Sequence, residues 1–136
     1  MQIAELIFNE GYNKYNTNVA DKICAPNFKH YWNGVPAEKV GPDAVKDSFK
    51  SNHEAYDDYK FKIVDMFAKE DKLTVHWAFK GKHKLSGQQV SFSGASILRF
   101  EKGKVVEGWT MYDFLGLYKQ LGYTITPPAW AQKKEK

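Results

Sequence analysis

Two residue types are nearly missing from this 136-residue chain. It has one cysteine, Cys24, which excludes an internal disulfide and any cysteine-based metal cluster. Cys24 falls in the helix-like stretch Val19 to Ala25 and reads as a buried apolar residue, not a nucleophile. It has one arginine, Arg99, against nineteen lysines. Arginine makes the forked contacts to phosphates and base edges, so its scarcity weighs against a nucleic-acid partner. No apolar run approaches membrane-spanning length, and no membrane association is expected. His30, His53, His76 and His83 show no close ligand spacing, so no metal site is expected. Neither a G-x-S-x-G elbow nor a phosphate-binding glycine loop occurs. The N-terminus carries Glu5 early and no positive segment ahead of its apolar residues, unlike a signal peptide. The expectation is a cytoplasmic protein.

What is present describes a folded domain. Apolar residues make up 43% and aromatic residues 15%, well above the disordered range. The length suits one domain with a real core, here placed over residues 1–126. Residues 127–136, with two prolines and a lysine-rich end, read as a partly ordered tail. The last four residues supply about half of the net charge of +4, and the body is nearly balanced.

Hydrophobic periodicity orders the elements. Ile3, Leu6, Ile7 and Tyr15 fall near one helical stripe. A short second helix is predicted over 18–25, stopped by Pro26. Phe28, His30 and Trp32 then alternate with polar neighbours as a strand does, which turns His30 inward. Gly41-Pro42-Asp43 opens a third helix, with Pro42 suited to its first turn. After Asp57 and Asp58 the period changes to two, and four strands follow. In the first, Phe61, Ile63 and Phe67 share a face with Asp65. In the second, Leu73, Val75, Trp77 and Phe79 share a face. Gly81 to Gly87 is a longer connection containing His83, the third strand spans Val90 to Phe100, and Lys102-Gly103 turns into the fourth. A final helix over 114–121 stops at Gly122.

The Lys102-Gly103 turn predicts a register. If it is a two-residue hairpin loop, Glu101 pairs with Lys104, Trp109 faces Ser96, Met111 faces Gly94, and Asp113 faces Phe92. Trp109, Met111 and Asp113 would then project from one face, a carboxylate beside two large apolar groups. Such a carboxylate suits general acid/base work. It is equally placed to cap the helix that follows, and both roles can coexist. A one-residue slip would turn the whole set over.

The order of elements resembles the cone-shaped α+β fold of the nuclear transport factor 2-like superfamily, a strongly curved, mostly antiparallel sheet around three N-terminal helices and an internal pocket. Particular segments are similar to the SnoaL-like polyketide cyclase family. Gly41-Pro42-Asp43-Ala44-Val45-Lys46 resembles its G-x-e-x-v/i-k helix entry, and Ala55-Tyr56-Asp57-Asp58 its a-f-p-D segment. Gly81-Lys82-His83 resembles a G-T-H element with lysine for threonine. The run from Ile97 to Trp109 resembles i-x-R-F-x-d-G-k-i-v-E-x-W, and Asp113 to Gly122 the closing D-x-x-g-l-x-x-Q-L-G. Together these cover roughly residues 28–122.

The resemblance implies a cofactor-free enzyme doing aldol-type cyclisation or isomerisation on a hydrophobic, carbonyl-bearing substrate. In the family's cyclases an acidic residue at the Asp113 position acts as acid/base, and a nearby histidine assists. The third strand here has no histidine, so a helper would be His83 or His30. Trp32, Asp58, Trp77, Phe79, Phe92, Trp109 and Met111 are the candidate pocket residues, although the same aromatics would serve equally as plain core. A homodimer is implied by analogy. The competing reading is a binding or carrier domain that holds an apolar ligand without turnover.

Overall fold

The computed structural model describes residues 2–134. The chain opens with α1 (Gln2–Glu5), which runs on as a wider π-type helical segment over Leu6–Asn13, followed by α2 (Val19–Ile23). β1 (Cys24–Trp32) and the two-residue β2 (Val35–Pro36) precede α3 (Pro42–Ala55). Then come β3 (Tyr56–Lys69), β4 (Lys72–His83), β5 (Gln89–Glu101) and β6 (Lys104–Tyr112), and two short helices, α4 (Phe114–Gln120) and α5 (Ala129–Lys134). The six strands form one sheet in the order β2-β1-β6-β5-β4-β3. Every pairing is antiparallel except β1 with β6, which joins the N-terminal layer to the last strand.

The predicted elements are present, with adjustments at their ends. Strand β1 begins at Cys24, so α2 stops three residues before Pro26, and the proline lies inside the strand. The predicted connection over 81–87 is shorter, because β4 continues to His83. Part of the predicted tail is helical, as α5; residues 135 and 136 lie outside the described residues. Gly41 (φ 75°) precedes Pro42 at the start of α3, and a β-carbon on it would lie 2.6 Å from the Pro26 carbonyl oxygen. Only glycine meets both demands.

The β4 prediction holds in full: Leu73, Val75, Trp77 and Phe79 are all buried. Burial of each is worth about 1.5–3 kcal/mol. Phe8, Tyr12 and Phe49 close over them from the helical layer. On the outer edge of the sheet, the Asn13 side chain donates to the Phe61 carbonyl (2.9 Å) and accepts from the Phe61 amide (2.7 Å). The side-chain amide thus occupies edge groups that would otherwise invite another strand.

Two bulges overturn sequence expectations. In β3 the pairing passes from Ile63 with Trp77 to Asp65 with His76, leaving Val64 as an extra residue. Phe67 is therefore turned outward and is 64% exposed, not on the inner face with Phe61 and Ile63. In the β5–β6 hairpin, Lys102 (φ 51°) and Gly103 (φ 78°) form the expected tight turn, and Glu101 pairs with Lys104. Phe100 pairs with Val105, but Arg99 pairs with Glu107, so Val106 is extra. Both Val105 and Val106 are buried. Beyond the bulge Ser96 faces Thr110 and Gly94 faces Tyr112, while Trp109 faces Ile97 and Met111 faces Ala95. The register predicted from the turn is off by one residue, and the face it assigned inward lies outward.

Candidate functional site

The bulge in β6 decides what lines the interior. It turns Gly108, Thr110 and Tyr112 toward the helices, beside Phe28, His30 and Trp32 of the parallel neighbour β1. A cavity of about 460 Å³ lies between this surface and the helical layer. Ile7, Phe8 and Tyr12 of the π-type segment form one wall, and Val45, Ser48 and Asn52 of α3 another. Trp32, Trp77 and Phe92, three of the candidate residues from the sequence, line it. The volume suits a small organic ligand, and the lining is mostly apolar with a few polar groups.

Those polar groups are organised. Among the described residues the buried polar side chains are His30, Ser96 and Thr110, and all three line the cavity. With Trp77 they form one string across four adjacent strands. The Trp77 indole N–H of β4 donates to Ser96 Oγ of β5 (3.1 Å). Ser96 Oγ lies 3.0 Å from Thr110 Oγ1 of β6, which lies 2.9 Å from His30 Nε2 of β1. His30 packs on Trp32 with ring centroids 4.4 Å apart. Its Nδ1 is buried and has no hydrogen-bond partner among the described residues. Burial lowers the His30 pKa to about 4, so the ring is neutral near pH 7. Gly94 makes room for the string's first member. A β-carbon there would lie 2.5 Å from the Trp77 ring and 2.6 Å from the Met111 carbonyl oxygen.

A second polar group sits on the helical wall, where the Tyr12 and Ser48 hydroxyls are hydrogen bonded. Burial pushes the Tyr12 phenol up to about 12, against the opposing pull of Ser48. At the cavity's rim Lys39 pairs with Asp47 (3.0 Å), and Glu38 lies alongside.

The other sequence candidates lie elsewhere. Asp113 does not line the cavity; it is exposed, and its carboxylate accepts from the Gly116 backbone N–H (2.8 Å) as the N-cap of α4. The capping reading of Asp113 is thus seen directly, whereas its predicted place among inward apolar side chains is not. With Met111 and His76 it borders a shallow depression apart from the cavity. Replacing Asp113 by alanine should cost about 1 kcal/mol in urea unfolding, and Asp113→Asn much less, because asparagine caps as well. His83 bonds Ser86 Oγ through Nδ1 (2.8 Å) at the end of β4, outside the cavity. Asp58 is exposed in an irregular stretch of β3 with φ 47°. Phe79 is core, packed on Phe61 and Phe92 with centroids 4.8 Å from each. Trp109 stacks on Tyr31 on the outer face, and Met111 is 44% exposed. Of the predicted catalytic set only His30 reaches the cavity. Ser96 and Thr110 carry no sequence signal of their own. The adjacent valines at 105 and 106 are the one hint of a bulge that would reverse the alternation after them.

Among the described residues no group of three or more His, Cys, Asp or Glu side chains is placed to hold a metal ion. No helix there is long and apolar enough to cross a membrane.

Solved structures share this fold. TsrD from Streptomyces laurentii superposes with a TM-score of 0.81 at 23% identity, covering 89% of this chain and 92% of that one. AclR from Streptomyces galilaeus superposes at 0.75 and 22% identity, covering 96% and 89%. A proposed polyketide cyclase from Acidithiobacillus ferrooxidans superposes at 0.74 and 25% identity, covering 89% and 92%. A search of curated proteins finds no match. The family profile described as SnoaL-like polyketide cyclase matches residues 2–121, the whole of the curved sheet, the helices over it and the cavity between them. The chain belongs to the SnoaL-like polyketide cyclase family.

Proposed function

We propose that the protein is a cofactor-free enzyme of the cyclase or isomerase type, acting on an apolar small molecule whose carbonyl oxygen is held against His30. Family membership supports the small-molecule, cyclase-type role. The observation that carries the finer reading is the string of buried polar groups ending at His30 in an otherwise aromatic cavity. In such a site a ligand is oriented by few polar contacts and held by apolar ones. Loss of a proton α to the carbonyl moves the C–H electron pair into a carbon–carbon double bond and the carbonyl pair onto oxygen. The enolate oxygen then rests at His30. In a cyclisation the enolate carbon bonds to a second carbonyl carbon, whose alkoxide takes a proton back. The cavity's own carboxylates, Glu38 and Asp47, lie at its rim, and we assign the proton transfer to them.

One observation favours the second reading, a carrier without turnover. Those carboxylates are exposed at the rim, whereas His30 is buried in the sheet. Two measurements separate the readings. Benzophenone should bind more tightly than diphenylmethane, which has the same rings and no carbonyl, by roughly fivefold for one neutral hydrogen bond. The enzyme should also speed exchange of the α-protons of tetralone in deuterium oxide, and His30→Phe should slow that exchange roughly a hundredfold. Binding without any exchange would leave the carrier, and equal binding of the two probes would defeat the carbonyl reading.

A further inference from the structure

We infer that the string Trp77, Ser96, Thr110, His30 holds the imidazole as its Nδ1–H tautomer, so that His30 meets a ligand as a neutral hydrogen-bond donor and selects an acceptor oxygen. The ligand's carbonyl identity rests on the function proposed above. The tautomer rests on the geometry alone.

The direction of the string follows from what each group can do. An indole N–H only donates, so Trp77 must donate to Ser96 Oγ. Each hydroxyl has a single hydrogen to give. If Ser96 donates to Thr110 and Thr110 to His30 Nε2, every hydrogen in the string has an acceptor. Nε2 is then the lone-pair nitrogen, the proton is on Nδ1, and that N–H is the one group left over. If His30 instead donates from Nε2 to Thr110, and Thr110 to Ser96, Ser96 already accepts from Trp77. Its own hydrogen then has no further partner among the described residues, and the Nδ1 lone pair is orphaned as well. A third arrangement, with Ser96 and His30 both donating to Thr110, strands the threonine hydrogen and again the Nδ1 lone pair. The first arrangement leaves one unfilled group and the others two. Unfilled buried polar groups are costly, and the first is favoured.

A neutral imidazole that donates polarises a carbonyl and stabilises the enolate oxygen that forms from it. It discriminates against a ligand that offers a donor at the same point. Trp77 acts through two hydroxyls and is a positioning residue. The small size of Gly94, on which its ring lies, belongs to the same device.

Long-range nitrogen–proton correlation NMR on the labelled protein near neutral pH reads the tautomer directly. His30 should show a protonated, pyrrole-type Nδ1 and a pyridine-type Nε2. Benzophenone, and not diphenylmethane, should shift the Nδ1 signal. Trp77→Phe keeps a buried ring but removes the obligatory donor together with part of the indole over Gly94; it should turn the single tautomer into a mixture and reduce the preference for benzophenone several-fold. Ser96→Ala breaks the next link and should do the same if Trp77→Phe does not fold. A wild-type His30 protonated at Nε2 overturns the inference while leaving the binding preference to be judged on its own data. A Trp77→Phe or Ser96→Ala protein with unchanged tautomer and preference overturns the role of the string. An Nδ1–H tautomer in a protein that binds both probes equally overturns the selection of an acceptor oxygen.

Discussion

Phe49→Ala should lower the unfolding free energy by about 3–5 kcal/mol, the range for removing a fully buried aromatic side chain. Phe49 is 0% exposed and lies between the helical layers, edge-on to Tyr12 with centroids 4.7 Å apart. Its ring also occupies the space above Gly11, where a β-carbon would lie 2.3 Å from Cζ. That close approach makes the prediction specific. In the natural background Gly11→Ala should destabilise by about 1–3 kcal/mol through overpacking. In the Phe49→Ala background the same methyl group enters the vacated space, and the alanine's helix preference is worth about 1 kcal/mol over glycine. The two changes should therefore be strongly non-additive, with the double variant more stable than Phe49→Ala alone. Urea unfolding of the four proteins completes the cycle. Additive losses would mean that the Phe49 ring does not pack on Gly11 in solution. The Phe49→Ala midpoint of thermal unfolding should fall by roughly 10–15 °C.

Acid should weaken the fold through His30. Its pKa falls from the usual 6.5 to about 4 because the ring is buried in the sheet. No charged side chain lies in the string beside it; the neighbours are Thr110, Phe28 and Trp32. The charged residues that line the cavity, Glu38, Lys39 and Asp47, are on or just before α3 at the rim. Between the two pKa values the unfolded chain binds a proton that the folded chain does not, so stability rises with pH. The contribution is fully present above about pH 6.5 and is lost as pH falls through about 4, to a total of about 3 kcal/mol. Carboxylates titrate in part of the same window, so the informative quantity is a difference. Stability against pH should fall less steeply between those limits in His30→Phe than in the natural protein. Parallel curves would mean that His30 is solvated and that the string does not enclose it.

Much of the architecture is legible in the sequence, because it rests on periodicity and turn chemistry. Leu73, Val75, Trp77 and Phe79 announce the inner face of β4, and Pro42 after Gly41 announces the start of α3. His30 is legible as an inward residue for the same reason, lying between Phe28 and Trp32 on an alternating strand. The failures share a cause. A β-bulge adds one residue, costs little, and has no strong sequence signature. At Val64 it turned Phe67 out, and at Val106 it exchanged Trp109 and Met111 for Thr110 and Tyr112. The parallel pairing of β1 with β6 joins residues about eighty positions apart and is invisible to local pattern. Without that pairing and the β6 bulge, nothing connects His30 to Thr110 and Ser96. Asp113 was conspicuous for its type and position, but its observed hydrogen bond is local, to an amide three residues on.

The doubled valine at 105 and 106 has a consequence for descent. Strand parity is a one-bit variable, and here the bulged pairing sets it. Deleting Val106 would remove the bulge and leave Arg99 opposite Glu107, Ser96 opposite Thr110 and Gly94 opposite Tyr112, so the polar wall would survive. Pairing the strand without a bulge while keeping Val106 would instead set Trp109 opposite Ser96 and Met111 opposite Gly94, and the wall that now ends in a polar string would become apolar. A lineage built on this hairpin can thus shed the extra residue and keep its interior, whereas flattening the bulge with the residue retained exchanges one interior for the other.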